Sequence, residues 1–392
     1  MKWPKAYLGD VAQVVSGATP KSSVDHYWDG DIPWITPADL SGLEEKEVSV
    51  TARLITEAGL SSCSSRILPP RSVLFSSRAP IGHVAINTVP MATNQGFKSF
   101  VPDQEILSSD FLYWWLKSNE VYLQSLGRGA TFKEVSKEIV EAIEIPLPPL
   151  EEQRRIAAIL DKASQLTEAC ASHQAAHRRM GESLFIQAFG EPRTNPFDLP
   201  SARLGAIADC QLGKMLDKKR QSGCSKKPYL RNANVRWFEI DTSDVLFMDI
   251  GDHEIDRFGV YQGDLLVCEG GEPGRSAIWK GGNGVIGFQK ALHRLRADRH
   301  KVLPEYLNWA LWMFAQRGLL SDRITSATIA HLTREKLVNI NILIPPLPVQ
   351  ERFSRQLEAL NALSQAAKSR NQILRSLNSS TFSTLLGWCA EK

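Results

Sequence analysis

The sequence predicts an α+β protein made twice over: two similar mixed α/β units separated by two long helices paired antiparallel as a coiled coil, an internal pseudo-two-fold repeat. Three observations predict it. The stretch IEIPLPPLEEQRR from Ile143 returns as INILIPPLPVQER from Ile340, so Pro148, Pro149, Leu150, Gln153 and Arg155 answer to Pro345, Pro346, Leu347, Gln350 and Arg352, an offset of 197 (345 − 148) in 392 residues. That register runs ungapped from Ala130-Thr131, matched by Ala327-Thr328, to Phe185 and Gly190, matched by Phe382 and Gly387. Upstream the echo weakens and drifts. Leu8-Gly9 and Gly17 match Leu204-Gly205 and Gly213 at 196, Pro33-Trp34-Ile35 matches Pro228-Tyr229-Leu230 at 195, and Gly82 to Ile86 matches Gly274 to Ile278 at 192. Small indels of this kind belong to loops on a shared scaffold.

The order that follows is a variable unit over 1–148, a constant helical segment over 149–192, a second variable unit over 193–345 and a second helical segment over 346–392. Within the units, SVLFSSR (Ser72–Arg78) and GDLLVCEG (Gly263–Gly270) read as short strands leading into turns, and FLYWWLKS and EYLNWALWM as buried helices. Each constant segment opens with paired prolines, which precede rather than continue a helix. In the first, Glu151 and Glu152 suit the positive end of the helix dipole. Ile156, Ile159, Ala163, Leu166, Cys170, His173, His177, Met180 and Leu184 then follow at alternating steps of three and four, a heptad seam, until Gly190 and Pro192 stop it. The second segment places Phe353, Leu357, Leu360, Leu363, Ala367, Leu374 and Leu377 comparably. These two seams are expected to face each other and form the subunit-interface positions, the alternative being two separate amphipathic helices that each lie on their own domain.

With 43% hydrophobic and 23% charged residues the chain reads as soluble and globular, and its length suits more than one core. No apolar run approaches the length of a membrane span, and nothing resembles a signal peptide. The six scattered cysteines contain no C-x-x-C pair, so a reducing cytoplasm is the expected setting. Charge is uneven: residues 1–148 carry 13 basic and 17 acidic side chains, residues 197–345 carry 21 and 17. The second unit's excess points to a polyanionic partner.

Catalytic signatures are missing. There is no phosphate-cradling G-x-x-x-x-G-K, and the Gly270–Gly274 turn lacks a lysine, leaving Arg275 as a base or phosphate contact. Asn195-Pro196-Phe197 shares its first two residues with the motif of adenine methyltransferases, but it follows a helix stop and reads as a turn. His173 and His177 have metal-ligand spacing but lie on the seam, where a polar layer setting register is the simpler reading. No metal site and no catalytic residue are expected.

Polar recognition groups are what the loops offer. From Lys214 to Arg236 the chain carries Lys214, Lys218, Lys219, Arg220, Lys226, Lys227, Arg231 and Arg236 against the single acid Asp217, interleaved with Tyr229 and Trp237. A solvated basic loop is the alternative reading of that run. Asn232 and Asn234 lie within it, and Asn94-Gln95 in the first unit and Gln289-Lys290 in the second are further polar candidates. Amides and cations of this kind read base edges and hold phosphates, although each is equally an ordinary surface residue. Lys21, Thr36 and Arg78 complete the candidates in the first unit.

Two variable domains alternating with two helical segments, each opened by Pro-Pro-Leu-x-x-Gln-x-Arg, resemble the specificity subunit of a type I restriction–modification system. Leu8-Gly9, Gly17, Ile32-Pro33-Trp34-Ile35, Asp39-Leu40, Ile81-Gly82 and Asn94-Gln95-Gly96-Phe97 also fit that family's loose pattern, while the second unit departs from it, with Asn234 where Asp39 stands. The resemblance implies two target-recognition domains reading a split site on double-stranded DNA, and no catalysis by this chain. It further implies two methyltransferase subunits and restriction subunits as partners, which carry the S-adenosylmethionine, ATP and Mg²⁺. A protein-binding adaptor with two spaced heads, or the specificity chain of a methyltransferase–nuclease fusion enzyme, are the alternatives.

Overall fold

The computed structural model describes residues 3–43, 45–129, 133–216, 225–284, 286–320 and 331–362. The described chain divides into two compact units that part at Cys170–Ala171. Each is a mixed α/β body on one plan.

In the first unit, Val73–Phe75, Val84–Asn87 and Lys98–Pro102 are short apolar-rich runs, mostly buried, as strands covered on both faces must be. They join Ala12–Ser16 and Glu47–Val48 in a five-stranded sheet ordered Ala12–Ser16, Lys98–Pro102, Val73–Phe75, Val84–Asn87, Glu47–Val48, antiparallel except for the last pair. Trp28–Ile35 pairs antiparallel with Arg53–Ile55 and parallel with Ala92–Thr93. Helix α1 (Ser109–Ser118) buries Phe111, Leu112, Trp115 and Leu116 in one core with Val73, Phe75, Ile86 and Phe100. Helix α2 (Leu150–Phe189) starts directly after Pro148-Pro149 and runs 40 residues, about 60 Å at 1.5 Å per residue.

The second unit repeats this. Ala208–Leu212, Leu292–Ala297, Leu265–Cys268 and Ser276–Ile278 form an antiparallel sheet in that order. Lys226–Leu230 pairs antiparallel with Leu246–Asp249 and parallel with Gly287–Phe288. Helix α3 (Pro304–Gln316) is the counterpart of α1 and is buried along most of its length. A further helix, α4, covers 347–362.

Each unit closes on itself. Lys5–Tyr7 pairs antiparallel with Glu144–Pro146, and Ser201–Arg203 with Asn341–Leu343. The repeat extends to single backbone hydrogen bonds. Leu8 N–H donates to Ile143 O as Leu204 does to Ile340, Ser77 to Gly96 O as Glu269 does to Ala291, and Val135 to Ser77 O as Leu332 does to Glu269.

The repeated glutamine locks each long helix to its unit. Gln153 is fully buried; its Oε1 accepts from Ser108 N–H at 2.9 Å, and its Nε2 donates to Ile106 O at 2.9 Å and Pro148 O at 2.8 Å. Gln350, equally buried, accepts from Leu303 N–H at 2.8 Å and donates to Lys301 O at 3.1 Å and Pro345 O at 2.7 Å. In both, the residue served is the one capping the start of α1 or α3.

Along α2, Ile156, Ala157, Leu160 and Ala163 are buried in the first unit, while Phe185 and Phe189 are buried in the second. Among the seam positions Ile159, Leu166, His177 and Leu184 are half-buried, and His173 and Met180 are exposed. Phe353 and Leu357 of α4 are buried in the second unit's own core, Phe353 lying 5.8 Å from Phe185 and 5.0 Å from Phe189, edge to face; Leu360 is half-buried. Leu363, Leu374 and Leu377 lie outside the described residues. The Asn195 turn closes on itself, its side chain bonding both backbone groups of Leu199 at 2.9 Å.

Candidate nucleic-acid interface

Three loops cross at one place in each unit. In the first they are the segment after Ala12–Ser16, the segment after Trp28–Ile35 and the Asn94–Gly96 turn. Gly17 N–H donates to Phe97 O, Ala18 N–H to Thr93 O and Asn94 N–H to Ile35 O, at 3.2, 3.0 and 3.0 Å. The second unit repeats all three, Gly213 to Leu292, Lys214 to Phe288 and Gln289 to Leu230, at 3.0, 2.9 and 2.9 Å. The crossing is tight enough to require glycine. A Cβ on Gly17 would stand 1.9 Å from Asn94 O, and one on Gly213 2.2 Å from Gln289 O.

The segment after Trp28–Ile35 is braced identically in both units. Thr36 N–H donates to Asp39 Oδ2 at 2.7 Å, and Arg231 N–H to Asn234 Oδ1 at 2.9 Å. The difference between Asp39 and Asn234 is therefore conservative for the fold, since either side chain supplies the accepting oxygen. Asn234 spends its amide on Asp241 O and Asp244 O at 2.9 and 2.8 Å and is buried. Thr36 likewise keeps its hydroxyl on Asp39 Oδ2 at 2.7 Å. Both are framework residues.

In the first unit the indoles hold the 18–21 segment. Trp34 Nε1 donates to Ala18 O at 3.1 Å and Trp28 Nε1 to Lys21 O at 3.3 Å. The rings meet edge to face at 5.1 Å, with the Arg53 guanidinium 3.6 Å from the centre of the Trp28 ring. Thr19 Oγ1 donates to Gln95 Oε1, and Asn94 Oδ1 accepts from Gly96 N–H at 2.8 Å. Lys21 and Gln95 are exposed. Arg78 is half-buried, 3.7 Å from Glu134.

The second unit changes the reading of the basic run. Lys214 lies 2.5 Å from Glu254, Lys227 3.0 Å from Asp252, Arg231 2.7 Å from Asp244 and Arg236 3.1 Å from Asp241. Arg275 lies 3.3 Å from Glu272 and donates to Asn232 O at 3.1 Å, while Asn232 donates to Gly270 O at 2.9 Å. The hydrogen bond from Lys214, outweighing partial burial, holds the Glu254 carboxyl below its ordinary range. Five cations thus have carboxylates beside them, where the sequence shows one acid in the run. Four of these acids, between Asp241 and Glu254, follow the run and are brought back to it because Leu246–Asp249 folds antiparallel onto Lys226–Leu230. Lys226 and Lys290 are exposed and Gln289 half-buried. Lys218, Lys219 and Arg220 lie outside the described residues.

Sequence reasoning missed the bracing by Thr19, Trp28, Trp34 and Arg53. An indole's single donor finds its acceptor only through the fold.

No described helix is long and apolar enough to cross a membrane. Residues 1–174 match the family model of the type I restriction modification DNA specificity domain. The specificity subunit of the type I restriction enzyme MjaIX of Methanocaldococcus jannaschii is 27% identical over 91% of this chain and 86% of its own. That of EcoKI of Escherichia coli is 22% identical over 98% and 87%. The fold matches the crystal structure of a type I restriction–modification S subunit from M. genitalium with a TM-score of 0.61, over 98% of this chain and 96% of that one, at 13% identity. With the same motif frame in both halves, a family model matched over residues 1–174 and relatives that align along nearly the whole length, the chain is similar to the specificity subunits of type I restriction–modification systems.

Proposed function

We propose that this chain is the DNA-reading, non-catalytic subunit of a type I restriction–modification complex. Each unit reads one half of a split target on double-stranded DNA. The observation that carries this is the crossing of three loops, framed by the same backbone hydrogen bonds in both units yet furnished with different side chains. Two readers of one construction and two chemistries suit two half-sites of different sequence, since backbone positioning can be shared and base contacts cannot.

In this reading α2 and the second helical segment pair antiparallel along their seams and set the unread gap between the half-sites. Two methyltransferase subunits and restriction subunits assemble on the chain. The S-adenosylmethionine, ATP and Mg²⁺ of the reactions belong to those partners. The test is a genome-wide map of N6-methyladenine in the host with and without the gene. One split motif is expected to lose methylation when the gene is removed. An unchanged map from a host whose methyltransferase subunits are demonstrably active overturns the reading.

A further inference from the structure

The two units serve as each other's control. Where the frame is shared, side chains that repeat serve the fold, and those that differ are free to serve whatever differs between the units. At the crossing Gly17 and Gly213 repeat, and Asp39 and Asn234 do the same work. Ala18 and Lys214, Thr36 and Arg231, Asn94 and Gln289, and Gln95 and Lys290 differ.

Most of the differing polar groups are already engaged. Lys214 is held by Glu254, Arg231 by Asp244, Thr36 by Asp39 and Asn94 by Gly96 N–H. Gln95 and Lys290 stand at the same place in the two frames, and both are exposed. Lys290 enters no ion pair among the described residues, and its backbone is pinned by its own N–H donating to Lys214 O at 2.9 Å. Gln95 meets the Thr19 hydroxyl through Oε1 and keeps its Nε2 protons for a second partner.

We propose that Gln95 and Lys290 are the specificity-determining pair, Gln95 selecting an adenine in the half-site of the first unit and Lys290 a guanine in that of the second. Thr19, Trp28 and Trp34 are positioning residues for the first. The assignment rests on the DNA-reading function proposed above. Its chemistry is the match of donors and acceptors in the major groove. An amide offers one donor and one acceptor, which fit adenine N7 and N6–H₂, whereas an ammonium offers donors alone, which fit guanine N7 and O6.

The test exchanges the two residues in the full chain, assembled with its methyltransferase subunits in cells lacking other adenine methylation, and reads the methylated motif. Lys290→Gln is expected to leave the first half-site and the gap unchanged and to lower guanine preference at one position of the second by ~tenfold or more. Gln95→Lys is expected to do the converse to an adenine in the first half-site. If the parent complex shows no split motif, the DNA-reading function itself fails. If the parent shows one and both variants keep it, only the assignment of these residues fails. A uniform loss of methylation across all sites, with assembly and melting as in the parent, also overturns the assignment, because it is the behaviour of a phosphate contact. Should one variant fail to assemble, the other decides alone.

Discussion

Gln153 does in the first unit what Gln350 does in the second, joining a backbone N–H and two carbonyls through a fully buried side chain. A buried unpaired group costs about 1–3 kcal/mol. Gln153→Ala is therefore expected to destabilise the chain by at least ~2 kcal/mol, read as a lower midpoint in urea. Gln153→Glu, which when protonated keeps the acceptor and one of the two donors, is expected to fall between parent and alanine variant at low pH and to lose stability as the pH rises. His293 makes a second residue-scale prediction. It is buried, with Nε2 2.9 Å from Leu332 O. Burial lowers its pKa from an ordinary value of 6.5, against the pull of that carbonyl. The unfolded chain then takes up a proton that the folded one refuses. His293 therefore gives its full contribution above about pH 6.5 and loses it as the pH falls toward the depressed folded value. Denaturation midpoints measured between pH 8 and 5 are expected to drop, and His293→Asn to flatten the drop; an equal slope in the variant excludes His293 as its cause.

Among the elements, helix α2 and the buried strands were the most legible in sequence, and the loops the least. Paired prolines followed by acids mark where α2 begins, and apolar runs such as Val73–Phe75 and Leu265–Cys268 announce strands without any knowledge of their partners. The recurrence of Gln153 and Gln350 is visible in the sequence, but their work is not, because two of the three groups each serves lie 45 to 49 residues away. The ion pairs of the basic run were hidden for a similar reason: its counter-charges follow it and return through strand pairing. The far end of α2 is tested through Gly181, whose added Cβ would stand 2.2 Å from Cη2 of Trp309. That indole is stacked at 4.4 Å on Phe238 and lies 5.2 Å from Trp312, so it has little room to move. Gly181→Ala is expected to cost ~1–3 kcal/mol by overpacking, seen as a lower melting temperature. An unchanged value implies that the helix end shifts instead.

For the molecule as a whole, the proposed spacer makes the helices a ruler. Four residues added to each lengthen it by about 6 Å, close to two steps of DNA at ~3.4 Å. The unread gap of the methylated motif is expected to grow by one or two positions with both half-sites retained, and an unchanged gap refutes the ruler. Another consequence lies in how each unit closes. Leu147 N–H donates to Pro4 O at 2.8 Å, and Ile344 N–H to Pro200 O at 2.6 Å. Where the chain starts each unit and where it leaves are thus hydrogen-bonded neighbours, and the residues between them form a loop closed at its base. Genetic exchange with crossovers next to such a pair, at Pro200 and Ile344 for example, replaces everything between those neighbours and returns the chain to the same point. In the proposed reading, a lineage carrying this architecture acquires a new half-site in one recombination event, while the proposed surfaces for the partner subunits are inherited intact.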